Sequence, residues 1–202
     1  MELSCRQGSA KNHQMENVKP PFRVALILGG ARSGKSRYGL GLAARCRTPR
    51  LFVATCEPRD AEMEARIAAH QRERGSDWLT QEVPLELAAT LKATQDNYGV
   101  VLVDCLTMWV SNLLLQENAP AGRIQTACED LLDSLRKTST PTILISNEVG
   151  LGIVPDNPLS REFRDQVGWL HQRLAQVADL VVLVVAGIPL PVKVEDIFRE
   201  SS

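Results

Sequence analysis

Residues 24–36 read VALILGGARSGKS, and this stretch decides the fold. Five apolar residues, Val24 to Leu28, run into GGARSGKS, which from Gly29 to Ser36 matches the phosphate-loop pattern G-x-x-x-x-G-K-[ST] at every fixed position. A nucleotide phosphate needs several backbone N–H donors aimed at one point, and glycines let the chain curl closely around it. The pattern carries weight only between a strand and a helix, and Arg37 to Arg45 can be helical. On this reading Gly29, Gly30, Ala31, Arg32, Ser33, Gly34, Lys35 and Ser36 surround the nucleotide. Lys35 reaches the outer phosphates, and the Ser36 hydroxyl holds Mg²⁺. The competing reading is a glycine-rich turn that binds nothing.

Outward from that motif, strand-like and helix-like segments alternate. Short runs rich in Val, Ile and Leu at 23–28, 50–55, 99–104, 141–146 and 180–186 suit strands covered on both faces. Helices are expected at 35–46, 60–74, 84–95, 106–117, 122–137 and 159–178. Alternation of this kind predicts an α/β domain: three layers of phosphate-loop NTPase type, with a mostly parallel central sheet flanked by helices. Ligands bind such sheets at the carboxyl ends of the strands. The domain is expected over 22–193, with a disordered extension at 1–21 ending in Pro20-Pro21 and a flexible tail at 194–202.

Composition narrows the class. The chain has 202 residues, enough for one domain with a sizeable core, and 23 Lys+Arg stand against 24 Asp+Glu. That balance argues against a nucleic-acid surface, and so against a nucleic-acid-stimulated ATPase of similar topology. Five cysteines are scattered and never form a C-x-x-C pair, which fits a reducing cytoplasm better than a disulfide framework or a structural zinc site. The apolar run at 180–188 is too short to cross a bilayer.

Further chemistry is expected just after the strands. Val100-Val101-Leu102-Val103-Asp104 is four apolar residues and an acid, the second half of a phosphate-loop site, which puts Asp104 beside the metal held by Ser36. In the 60–74 helix, Glu62, Arg66 and His70 share one polar stripe bordering the Met63–Ile67 line. Spacing alone reads His70 as a histidine packed at the edge of the core. His13 falls in the extension and His171 in a helix rich in Gln and Arg, so both are expected in solvent. Glu148, in the loop after the fourth strand, is expected to be exposed, either as a base or substrate contact or as a loop cap. Asn147 does not begin an N-K-x-D guanine-reading motif.

Together these pieces resemble the bifunctional adenosylcobinamide kinase and adenosylcobinamide-phosphate guanylyltransferase family of cobalamin biosynthesis. The resemblance runs from about Val24 to Lys193. Its markers are GGARSGKSRY (29–38), ATC (54–56), EMEARIAAH (62–70) leading to Trp78, DCLTMWVSNLL (104–114), SNEVGLGIVP (146–155) and FRDQVGWLHQRLA (163–175). The NEVG-x-GIVP segment is the most distinctive, because generic phosphate-loop kinases do not share it.

The family implies roles that spacing does not. A histidine attacks the α-phosphate of GTP and carries GMP as a phosphoramidate, and the matching position is His70. Some relatives carry two adjacent histidines here, whereas this chain has Ala69 before His70. Nucleotide contacts are implied at the phosphate loop, Thr55, Cys56, Glu57, Gln71, Arg72, Glu73, Arg74, Glu82 and Asp104, with Lys35 and His70 catalytic and Ser36 and Asp104 on the metal. Relatives often have Glu where Asp104 stands and Pro where Gly75 stands. The partners so implied are GTP, ATP, adenosylcobinamide and its phosphate, with Mg²⁺ and homo-oligomerisation. The rival reading among enzymes is a phosphate-loop kinase for another small alcohol, with His70 structural.

Overall fold

The apolar runs do become strands, and in β1, β2, β4 and β5 they are buried on both faces because every second residue meets a different helix layer. The computed structural model of the chain describes residues 20, 22–56, 77–117, 120 and 122–195. Seven strands form one sheet: β1 (Val24–Gly29), β2 (Arg50–Ala54), β3 (Trp78–Glu82), β4 (Val100–Asp104), β5 (Thr142–Asn147), β6 (Leu180–Val185) and β7 (Ile188–Val194). Their order is β3-β2-β4-β5-β1-β6-β7. All neighbours pair in parallel except β6 and β7, which form an antiparallel hairpin. This is the expected α/β architecture.

Five helices are described: α1 (Lys35–Ala43), α2 (Leu87–Ala93), α3 (Leu106–Leu114), α4 (Arg123–Lys137) and α5 (Pro158–Val177). Val24, Leu26, Leu51, Val53, Val101, Val103 and Leu144 pack against apolar residues of α2 to α5. Ala25, Ile27, Phe52, Leu102, Ile143 and Ile145 face the other way, in the layer that holds Ala43 of α1. The helix sequences supply matching stripes. In α4, Cys128, Leu131, Leu132 and Leu135 are fully buried at helical spacing. Helix α5 starts where Asn157 Oδ1 accepts from Leu159 N and Ser160 N at 2.8 and 3.3 Å, followed by Pro158 in the first turn.

Two strands lie beyond the five expected. WLTQE (78–82) forms β3 at one edge, half-exposed to exposed throughout, so it lacks the apolar run that marks a buried strand. IPLPVKV (188–194) forms β7 at the other edge, where Pro189 and Pro191 are tolerated because an edge strand leaves half its ladder unpaired. The expected run 180–186 ends one residue early, at Val185. Ala186 (φ 52°) and Gly187 (φ 79°) then make a tight two-residue turn into β7.

Helix α1 lies close on the sheet because Gly39 has no side chain. A Cβ there would sit 2.9 Å from Ile145 Cδ1 and 3.6 Å from Leu102 Cδ1. Gly39→Val should therefore lever α1 off the sheet and cost about 1–3 kcal/mol of overpacking. Urea unfolding would show the loss, and an unchanged midpoint would mean that α1 is not seated as described.

Candidate active site

Left-handed backbone at Arg32 (φ 56°) and Gly34 (φ 95°) curls residues 29–36 into a concave turn ahead of α1. That curl aims successive N–H groups inward and makes an anion-binding nest at a helix N-terminus. Inside the loop, Ser33 N–H donates to Gly30 O at 3.2 Å, and Lys35 Nζ folds back to Gly30 O at 3.1 Å. Two outside segments fix it. Glu148 N–H donates to Gly29 O at 3.0 Å, and Gly187 N–H, from the β6–β7 turn, donates to Ser33 O at 2.8 Å. The glycines are required by these approaches. A Cβ on Gly29 would sit 2.6 Å from Val184 O, and one on Gly34 would sit 3.2 Å from Gly187 Cα.

Strand register places the acids. Glu82, Ala54, Asp104 and Ile145 are partners across β3, β2, β4 and β5, so they form one row at the carboxyl edge. Ala54 and Ile145 belong to the layer on the α1 side, so Asp104 leaves the sheet on that side, towards the helix whose second residue is Ser36. Glu82 is exposed and lies two strand spacings away, about 10 Å.

A buried polar belt holds the strand ends in place. Asn112 Nδ2 donates to Thr55 O at 2.8 Å and to Pro84 O at 3.1 Å, which ties the ends of β2 and β3 to α3. Thr55 Oγ1 donates to Cys105 O at 2.7 Å and accepts from Cys105 N at 2.9 Å. Cys105 Sγ lies 2.8 Å from Thr107 Oγ1, which accepts from Asn147 Nδ2 at 3.0 Å. Thr55 is fully buried and its hydroxyl is committed to Cys105. Through these two bonds it supports the site from beneath. Burial, and then the charge of Asp104, push the Cys105 thiol pKa up, so it stays protonated. Burial likewise raises Cys46 to about 11 and Cys128 to about 12, which rules both out as nucleophiles near neutral pH.

Two expectations about burial are overturned, and the first concerns His171, which is not in solvent. It is 7% exposed, with Nε2 2.7 Å from Ser146 Oγ and Nδ1 3.8 Å from Glu148 Oε2. The pattern that reveals this is Val167, Leu170, His171 and Leu174, spaced as one helix face and all buried. Glu148 is correspondingly half-buried, not exposed. Its Oε1 accepts from Gly150 N at 2.6 Å, so the cap reading holds.

Cys56 lies half-buried just beyond β2. Glu57, Glu62, His70, Gln71, Arg72, Glu73, Arg74 and Gly75 lie outside the described residues, as do the extension before residue 20 and the tail after 195. Among the described residues, no cluster of three His, Cys, Asp or Glu side chains could hold a metal. Magnesium beside a nucleotide does not need one, since it takes one or two protein oxygens plus phosphates and water. The Ser36 hydroxyl and the Asp104 carboxylate are hard oxygen donors of the right kind. The nucleotide also fits: Ser33 Oγ is buried with no hydrogen-bond partner among the described residues, a hydroxyl that a phosphate oxygen would satisfy.

Residues 25–192 match the sequence profile described as Cobinamide kinase / cobinamide phosphate guanyltransferase. The chain belongs to that family. It is 46% identical over 170 residues to the bifunctional adenosylcobalamin biosynthesis protein CobP of Pseudomonas aeruginosa, a match covering 84% of this chain and 97% of the relative. It is 38% identical over 181 residues to the bifunctional protein CobU of Salmonella typhimurium, covering 84% and 99%. In fold it is similar to the flagellar accessory protein FlaH of Methanocaldococcus jannaschii, with a TM-score of 0.50 and 12% identity over 90% of this chain and 82% of that one. Membership makes the chain a bifunctional transferase of cobalamin biosynthesis, with nucleotide and cobinamide substrates. No described helix is long and apolar enough to cross a membrane.

Burial lowers the His171 pKa below its ordinary 6.5, against a smaller opposing pull from Glu148. The folded chain therefore keeps this ring neutral while the unfolded chain takes up a proton as pH falls below about 6.5. The unfolded state then binds more protons, so any stability advantage of His171 is full above about 6.5 and shrinks below it. In urea unfolding, wild type minus His171→Gln should decline between about pH 7 and about pH 5. A difference that grows on acidification would reverse the assignment.

Proposed function

We propose that both reactions of this transferase use the 29–36 loop, with His70 carrying GMP from GTP to the cobinamide phosphate in the second. The observation that supports this is the glycine cradle with Asp104 set in register on the α1 side of the sheet. In the kinase step the terminal hydroxyl of the aminopropanol arm of adenosylcobinamide attacks the γ-phosphorus of ATP or GTP. The bond to the bridging oxygen breaks, the nucleoside diphosphate leaves, and the hydroxyl proton passes to solvent. Positioning and charge neutralisation carry such a step. Loop N–H groups and the Lys35 ammonium hold the phosphates, while Gly29 and Ser33 keep the loop in shape through their bonded carbonyls. Mg²⁺, held by Ser36 and Asp104, would neutralise charge on the phosphoryl oxygens when bound.

In the second step a ring nitrogen of His70 attacks the α-phosphorus of GTP and pyrophosphate leaves. A phosphate oxygen of the cobinamide phosphate then displaces the histidine, giving adenosylcobinamide-GDP. Arg72, Arg74, Gln71, Glu73, Glu57, Cys56 and Glu82 are the further proposed nucleotide contacts. The chain is proposed to act in the cytoplasm, where its free thiols Cys46, Cys56, Cys105 and Cys128 are stable. It is also proposed to self-associate through the β6–β7 hairpin, which exposes Val185, Ile188, Leu190, Val192 and Val194.

Incubation with α-labelled GTP and Mg²⁺ tests the scheme. Wild type should carry acid-labile label, and His70→Ala should carry none while still phosphorylating adenosylcobinamide. Lys35→Ala should lower kcat of both steps by about 100-fold or more. Label retained by His70→Ala would refute the histidine intermediate.

A further inference from the structure

We infer that His171 is a positioning residue: its buried ring fixes the Ser146–Glu148 segment, and through that segment the phosphate loop and the 148–157 loop beside it. The inference leans on the proposed function for its cobinamide kinetics alone.

The chain of contacts is short. Ser146 is the fifth residue of β5 and fully buried. Its hydroxyl meets His171 Nε2 at 2.7 Å, while the other ring nitrogen faces the Glu148 carboxylate at 3.8 Å. Glu148 spends its other oxygen on Gly150 N and its own N–H on Gly29 O, the first carbonyl of the phosphate loop. One imidazole thus touches both residues that flank Asn147, the register partner of Gly29.

Polarity follows from the partners. A carboxylate only accepts, so the ring proton belongs on Nδ1. The Nε2 lone pair then accepts the Ser146 hydroxyl proton, and the ring is neutral, as its burial favours.

The same helix holds the far end of the loop. Arg161 Nη1 donates to Pro155 O at 2.9 Å and to Asp156 O at 2.6 Å. Arg161 and His171 are ten residues apart on α5, about 15 Å along its axis. Helix α5 therefore acts as a strut that sets the span of the loop, whose middle exposes Leu151, Ile153 and Val154 at the carboxyl edge. The other outside bond, Gly187 N–H to Ser33 O, does not pass through this segment and still holds the nest, so nucleotide binding survives a loosened strut. What suffers is the alignment of the loop edge with the acceptor, and misplacement of about an ångström costs rate more than affinity.

The test measures kcat and KM for adenosylcobinamide phosphorylation and for basal ATP hydrolysis, at a temperature where circular dichroism shows each variant folded. His171→Leu fills the space without either bond and should lower kcat about tenfold, with KM for ATP within about twofold. His171→Gln restores an acceptor for Ser146 and should recover most of the rate. An unchanged kcat in folded His171→Leu, or no rescue by Gln, overturns the inference. Should the Leu variant not fold, Ser146→Ala removes the same bond from the other side and must show the same split. Nitrogen-15 ring spectra of wild type give a readout that does not depend on activity. The neutral tautomer with the proton on Nδ1 is expected, and the Nε2–H tautomer or a charged ring at neutral pH refutes the geometry. A wild type that leaves adenosylcobinamide untouched defeats the proposed function, while the ring spectra still decide the geometry at His171.

Discussion

Everything at this site depends on two backbone carbonyls of the phosphate loop being held from outside it. Gly29 O is taken by Glu148 N–H and Ser33 O by Gly187 N–H. A glycine-rich loop with left-handed backbone at Arg32 and Gly34 carries a high conformational cost, since glycine loses more freedom on folding than any other residue. Bonds within the loop are few. The neighbours that supply these two donors come from the strands on either side of β1, so the loop is as rigid as the sheet itself. Its N–H groups then face the ligand without being reorganised on binding.

The second constraint is the polar belt beneath the loop. Parallel strands end in backbone groups that no ladder satisfies, and burying them unpaired costs roughly 1–3 kcal/mol each. Asn112, Thr55, Cys105, Thr107 and Asn147 meet that demand with one another and with the strand ends. Their mutual bonding holds Thr55 in place beyond the end of β2. It also explains how Asp104 keeps its place, since it sits between strand residues and the clamped Cys105 peptide.

Much of the fold was legible in the sequence, for physical reasons. Four of the expected apolar runs are strands buried on both faces, and covering both faces is what makes a run continuously apolar. The phosphate-loop residues are legible because Gly29 and Gly34, which stand at fixed positions of the pattern, have no room for a side chain beside Val184 O and Gly187 Cα. The edge strands were not, because neither carries the signal: β3 is largely exposed and β7 contains two prolines. His171 was misread because Gln172 and Arg173 beside it suggested a solvated face, although the Val167–Leu170–Leu174 stripe passes through it. Its partner Glu148 was legible only as two equal possibilities, since a loop residue has no period to place it. Asp104 was easier, since an acid closing an apolar run marks a strand end, whereas Glu82 came only from the family resemblance because β3 carries no such run.

The prolines of β7 have an effect of their own. Two of the seven residues in this outermost strand, Pro189 and Pro191, have no amide hydrogen to give. A foreign strand laid alongside would find an interrupted ladder, and cross-β stacking could not template from this border. The hairpin can therefore keep an oily surface in crowded surroundings without seeding fibrils. Its stickiness is confined to side chains, which select a partner by shape, and is withheld from the backbone, which would accept almost any sequence.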